Sequence, residues 1–321
     1  MLVFNTSNCS HSFILSGITG LENFYFLIGL TLLIMYLVAI FGNIIIIYII
    51  KMETYLHEPM YIFLSMLSAI DLLLANTTMP RMLGIFWFGS TEVWFDSCLV
   101  QVFFILFLSA LESGILVAMA VDRYVAICHP LRYSSFFTSR TILKLGLLIL
   151  VRGAVFTIPF PLLIKRLPFC NGKVLTHSFC IHQEIMKLSS ADYTVNIVYG
   201  LFVILCIMGI DSLFIALSYI LIIRAVVDHV EEASLKAFST CAAHICAVLV
   251  YYVPLIGLSV VHRFGISEVA PNLHIHFGNI YLLVPPVINP IVYGIKTKEI
   301  RSKVIKIFFR KQKWVNPSND F

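Results

Sequence analysis

Seven uninterrupted apolar stretches organise this chain: Phe24–Ile50, Pro59–Phe86, Cys98–Tyr124, Thr141–Ile164, Val195–Val226, Leu235–Val261 and Leu273–Gly294. Each is long enough to cross a hydrocarbon core of about 30 Å as a helix. Hydrophobic residues make up 60% of the chain and charged residues 12%, against roughly 25% charged in soluble domains. Water cannot be the solvent for that much apolar surface. The expected fold class is an all-α membrane protein, a seven-transmembrane-helix bundle followed by an amphipathic eighth helix. The connections leave room for a single domain, so 24–294 is read as the membrane domain, 1–23 as an extracellular N-terminus and 295–321 as a cytoplasmic helix and tail.

Orientation follows from Lys and Arg, which gather on the cytoplasmic side of membrane proteins. Residues 1–50 contain neither, whereas Lys51, Arg132, Arg140, Lys144, Arg224, Lys236 and eight basic residues from Lys296 to Lys313 flank alternate helix ends. The C-terminus is therefore expected inside. The loop holding Lys165, Arg166, Lys173 and Lys187 points the other way and is outnumbered. Sequons at Asn5 and Asn8 favour an exterior, glycosylated N-terminus, whereas the one at Asn76 falls within the second stretch and reads as a buried polar helix face. The expected location is the plasma membrane, with lipid as a partner and no nucleic acid. Cys9, Cys98, Cys170 and Cys180 fall on the outer, oxidising side, where four cysteines allow three pairings. Cys128, Cys206, Cys241 and Cys246 read as reduced packing residues.

Charge inside a bilayer is costly and marks function or pairing. Asp71, Glu112, Arg152 and Asp211 all lie within apolar stretches. Asp71 and Glu112 each sit midway along their helices, and two adjacent carboxylates in low dielectric must share a proton or bind a cation. A sodium or proton site between the second, third and seventh helices is the expectation, with no other cofactor or metal. Along the third helix, Cys98 and Arg123 are 25 residues apart, or about 37 Å. Cys98 then lies at one interface and Asp122-Arg123-Tyr124 at the other. Pro254 in the sixth helix and Pro285, Pro286 and Pro290 in the seventh remove backbone donors and favour kinks or hinges. The freed carbonyls call for water or polar neighbours such as Asn289.

The run Met119-Ala120-Val121-Asp122-Arg123-Tyr124-Val125-Ala126-Ile127-Cys128-His129-Pro130-Leu131-Arg132-Tyr133 resembles the third-helix signature of vertebrate olfactory receptors, a branch of the rhodopsin-like G-protein-coupled receptors. Gly42-Asn43, the segment from Leu56 to Tyr61, that from Lys236 to Cys241 and that from Pro285 to Gly294 agree with it, in order, over residues 13–310. Gly17, Gly20, Leu21, Glu22, Glu112 and Val261-His262-Arg263 look like the class I, or fish-like, division. The resemblance implies an odorant receptor that is not an enzyme, coupled to a heterotrimeric stimulatory olfactory G protein that raises cyclic AMP.

By matching position, the resemblance implies a disulfide between Cys98 and Cys180. Cys170 lacks the usual second partner, because Leu188-Ser189-Ser190-Ala191 stands where a cysteine is common; it is free or paired with Cys9. Arg123, restrained by Asp122, would be the inner switch, with Tyr124, Tyr219, Asn289, Pro290 and Tyr293 completing it and Pro130 and Leu131 facing the G protein. Tyr252, Leu255, Ile256, Ser259 and Arg263 fall at helical spacing and are read as one face of a ligand pocket. Arg263 would grip an acidic or strongly accepting head group and Gln183 would approach it from the loop above. Ile105, Leu106, Ser109 and Ala110 would line the tail of a small aliphatic ligand. Many class I members have histidine where Leu106 stands, which removes one polar contact. On the tail, Ile300, Val304, Ile307 and Phe308 share a face among basic residues, as in helices that lie on anionic membrane surfaces.

A transporter would show similar halves or paired broken segments, and neither occurs. An integral-membrane enzyme would need a metal cluster or acid–base set, and the histidines are scattered without zinc-like spacing.

Overall fold

The computed structural model describes residues 12–17, 20–169, 174–228, 232–263 and 273–309, without the side chains of 227–240, 262–263, 273–274 and 308–309. Every apolar stretch becomes a helix long and apolar enough to span a membrane. In order they are Tyr25–Met52, Pro59–Phe88, Phe95–Cys128, Ser139–Thr157 continued by Pro159–Lys165, Thr194–Asp228, Glu232–Arg263 and Leu273–Lys296, and an eighth helix runs from Lys298 to Phe309. Burial follows from the bilayer environment. On the first helix Leu32, Ala39 and Ile46 are buried, while Phe26, Ile34 and Phe41 are exposed where lipid would lie. The third helix is the axis of the bundle, with every residue from Leu108 to Leu116 buried.

Two irregularities shape the bundle. The fourth helix is interrupted at Ile158, just before Pro159, a proline the kink argument passed over. The fifth contains a π-turn over Leu205–Gly209, which no periodicity signalled.

Pro290 has no N–H for the carbonyl of Pro286, four residues back. Asn43 Nδ2 of the first helix donates to that carbonyl at 2.9 Å. The freed group is therefore satisfied by Asn43, while Asn289, the residue expected to serve, donates to Asp71. Gly42 makes the approach possible, since a Cβ there would lie 2.8 Å from the Pro290 ring.

At the end of the bundle bearing Cys98, three short strands form a sheet in the order β2 (Glu92–Trp94), β1 (Ser12–Leu15), β3 (Val174–Leu175). The strands join the N-terminal segment to two loops. Phe13 and Leu15 are buried beneath the sheet, and Phe13 meets Phe169 edge-on at 5.5 Å. At the opposite end the eighth helix buries Ile300 and half-buries Val304. Its Lys303 pairs with Glu53 at 2.5 Å. Ile307 is exposed on it, and the side chain of Phe308 lies outside the described residues.

Candidate ligand cavity and polar core

A cavity of about 400 Å³ opens between the third, fifth, sixth and seventh helices near the sheet end, within the size range of small-molecule sites. Val102, Ile105, Leu106, Ser109 and Ala110 form its third-helix wall, and Leu255, Leu258 and Ser259 its sixth-helix wall. Phe179, Cys180, Ile181, His182 and Gln183 border it from the loop. That loop is pinned by the disulfide between Cys98 and Cys180. It is further held by Cys180 N–H donating to Gln101 Oε1 at 2.9 Å. Tyr251 lies under the cavity, donating to the Ser109 carbonyl at 2.7 Å.

Of the residues read as ligand contacts, Ile105, Leu106, Ser109, Ala110, Gln183 and Ser259 line this space. Ile256 does not: it is 56% exposed on the outside of the bundle. Tyr252 does not line the cavity either, and its hydroxyl lies 2.8 Å from Ser113 Oγ. Ile256 lies about 100° around the helix from Leu255, on the side turned away from the cavity. The inward stripe runs through Tyr251, Leu255 and Leu258. The sixth helix continues through Arg263, whose side chain lies outside the described residues, as do Asn5, Asn8, Cys9 and Cys170.

Sequence reasoning missed His182, Lys187 and Asn196, which also line the cavity. His182 is buried against Phe160, its ring 4.8 Å away, with Asn196 Nδ2 3.5 Å from Nε2. Burial pushes its imidazole down to about 4. Lys187 pairs with Glu184 at 3.1 Å. Asn196 carried a signal, as a polar residue inside an apolar run; His182 carried none beyond adjoining Gln183.

Below the cavity lies a buried polar core. Arg152 of the fourth helix contacts both carboxylate oxygens of Asp211 on the fifth, at 2.6 and 2.8 Å. Ser113 Oγ donates to Asp211 at 2.6 Å and touches Tyr252. Two of the four intramembrane charges are thus partners, in keeping with the structural reading of such charges. Asp71 and Glu112 are also buried. Asn289 Nδ2 donates to Asp71 Oδ2 at 3.0 Å and its side chain also reaches Glu112. Asp71 Oδ1, Glu112 Oε2 and Asn289 Oδ1 have no hydrogen-bond partner among the described residues. No group of three metal-ligating His, Cys, Asp or Glu side chains occurs there.

At the far end, Arg123 Nε and Nη2 donate to Asp122 at 2.9 and 2.5 Å, and Tyr133 donates to the other Asp122 oxygen at 2.7 Å. Tyr219 lies 2.6 Å from His244 Nδ1, and His244 Nε2 is 3.0 Å from the Leu116 carbonyl. His244, unremarked in the sequence, joins the third, fifth and sixth helices. Tyr293 is fully buried and its hydroxyl has no partner among the described residues. Tyr124 turns aside, its hydroxyl 3.2 Å from His129, and Leu131 is 97% exposed.

Seven spanning helices, a loop pinned over a cavity at one end and an Asp-Arg pair at the other define a seven-helix receptor of the rhodopsin-like fold. Squid rhodopsin superposes with a TM-score of 0.74 at 15% identity, covering 93% of this chain and 89% of the other, which speaks for the fold. The olfactory receptor family profile matches residues 32–311. The chain is 55% identical to "Olfactory receptor 51E2" of Rattus norvegicus over 306 residues, covering 95% of both. It is equally identical to the Homo sapiens protein of that name, and 53% identical to human "Olfactory receptor 51E1", again covering 95% of each chain. This chain belongs to the olfactory receptor family, whose class I division fits these relatives, and is a receptor and not an enzyme.

Proposed function

We propose that the cavity receives a small aliphatic odorant with an acidic or strongly hydrogen-bond-accepting head, and that binding drives a stimulatory olfactory-type G protein to raise cyclic AMP. Family membership supports odorant recognition and G-protein coupling. The observation that carries the ligand class is the make-up of the cavity: apolar walls of Val102, Ile105, Leu106 and Leu258, with Ser259, Gln183, His182 and Lys187 also bordering it. Helix six carries residue 263 one turn beyond Ser259, and Arg263 is the residue proposed to grip the head group. Leu106 supplies no polar contact, so the head group relies on the sixth helix and the loop.

The test is a cyclic AMP reporter with straight-chain acids and the matching alcohols, on wild type and Arg263→Ala at equal surface expression. A charge-assisted bond of about 1.5–3 kcal/mol would be lost for acids alone, a roughly ten- to hundredfold weaker response. Equal losses for acids and alcohols, or none, overturn the carboxylate reading.

The sheet end is proposed to face outward, which suits its disulfide, with Asn5 and Asn8 glycosylated and the basic eighth helix on the anionic inner leaflet. Asp71, Glu112 and Asn289 are proposed to hold a sodium ion or a shared proton. The three unpartnered oxygens there are the hard donors a sodium ion prefers. An agonist response indifferent both to sodium concentration and to Asp71→Asn removes that site.

A further inference from the structure

Beside the main cavity is a second concavity of about 210 Å³, on the outside of the bundle between the fifth and sixth helices. The two share Ile204, Met208, Leu255 and Ser259 as lining residues, so the wall between them is one side chain thick. The outer concavity is bordered by Leu205, Gly209, Ile256 and Val260, of which Leu205 and Ile256 are more than half exposed on the surface that lipid would cover. We propose that this concavity is a lateral portal, through which the aliphatic ligand of the main cavity passes from the bilayer in its uncharged form. The proposal rests on the cavity being the ligand site.

Three features favour passage over mere packing. The first is the π-turn Leu205–Gly209, which lies along the mouth. A π-turn departs from regular helical hydrogen bonding and recurs at functional positions. The second is the partition itself. Of its four residues Ile204 is β-branched and stiff, but Met208, whose sulfur lies 3.6 Å from the Tyr251 hydroxyl, is unbranched and adapts its shape at low cost. The third is the contrast with the sheet end, where Phe179 and Cys180 are almost wholly buried and the loop is fixed by a disulfide and by strand pairing. The aliphatic chain of such a ligand draws its uncharged form into hydrocarbon, so a way in from the membrane meets a higher local concentration of that form than one from water.

Gly209 offers a clean plug. A Cβ there meets nothing nearer than 4.0 Å, so a side chain starts without a backbone clash at a residue that lines the mouth, and Gly209→Phe is the chosen plug. The experiment uses full-length receptor in lipid nanodiscs, with Cys206→Ser to remove the neighbouring thiol and Ser109→Cys to place a thiol in the main cavity. The probes are N-ethylmaleimide, small and neutral, and a permanently charged methanethiosulfonate that stays in water. Mass spectrometry follows modification of residue 109, a thioether with the maleimide and a mixed disulfide with the methanethiosulfonate.

The expected result is that Gly209→Phe slows N-ethylmaleimide about tenfold or more, reaches the same final extent and leaves the charged reagent's rate unchanged. Leu213→Phe, on the lipid-facing surface outside the groove, should leave both rates as they were. Slowing by less than about twofold overturns the portal; it is also the outcome expected if a lipid acyl chain permanently fills the groove. Equal slowing by Leu213→Phe overturns it too. If Gly209→Phe folds poorly, Ser212→Phe serves at the same mouth. No odorant enters the experiment, so a failed carboxylate screen and a failed portal are told apart.

Discussion

Gly42 sits where the first and seventh helices touch, and any side chain there must displace a proline ring. A Cβ would stand 2.8 and 3.0 Å from two carbons of Pro290. Overpacking of this kind costs about 1–3 kcal/mol, and moving the helices apart would also stretch the Asn43 bond to the Pro286 carbonyl. Gly42→Ala should lower the melting temperature of detergent-solubilised receptor and its surface expression; an unchanged melt refutes the close-contact reading. His182 gives a second residue-scale prediction. Its imidazole titrates near 4 in the fold and near 6.5 in the unfolded chain. Between those values the unfolded state binds the extra proton, so stability is full above about 6.5 and falls as pH drops, by about 3 kcal/mol once both states are protonated. Melting temperature should therefore decline from pH 6.5 to 4 in wild type and decline less in His182→Gln. Parallel pH profiles would show that the imidazole is not held neutral.

Among elements, the contact joining the fourth and fifth helices is the most exacting. Arg152 and Asp211 neutralise each other within the bilayer span, Asp211 being almost wholly buried and Arg152 about a quarter exposed. Removing either partner leaves a charge in low dielectric, a loss of about 3–5 kcal/mol, while replacing both with apolar residues of similar volume is often nearly neutral. Arg152→Met and Asp211→Leu should each depress the melting temperature strongly, and the double variant should recover most of the loss. Additive losses would show that the pair is not the source of the cost. The same residues meet Ser113 and Tyr252 beneath the cavity wall, so the double variant should keep its fold and still respond differently to ligand.

At the scale of the whole molecule, the cavity and the Asp122–Arg123 pair are set apart along one helix. Ser109 lines the cavity and Arg123 meets Asp122, 14 residues further along, a rise of about 21 Å. Ligand and Arg123 therefore cannot touch, and any coupling runs through the helices, with the Tyr219, His244 and Leu116 link as a physical route across three of them. Arg123→Ala should reach the surface and bind ligand normally, yet fail to accelerate nucleotide exchange on a co-expressed G protein. Full exchange at matched expression would sink the role assigned to Arg123.

Helix number and extent could be read from the chain because a bilayer leaves an apolar segment of that length few alternatives. Each span in the structure ends within a few residues of its sequence boundary, and the resemblance carried by Asp122-Arg123-Tyr124 and Pro285 to Gly294 led to the right family. Helical rotation was not legible in the same way. The sixth helix is apolar nearly all round, so Ile256 and Leu258 look alike in sequence although one faces outward and the other the cavity. Pairing was hidden too: Arg152 with Asp211, Asn43 with Pro286 and Tyr219 with His244 join residues 59, 243 and 25 positions apart. Apolar length set the helices in the membrane; only the packing of one helix against the next decided which side chain each polar group would meet.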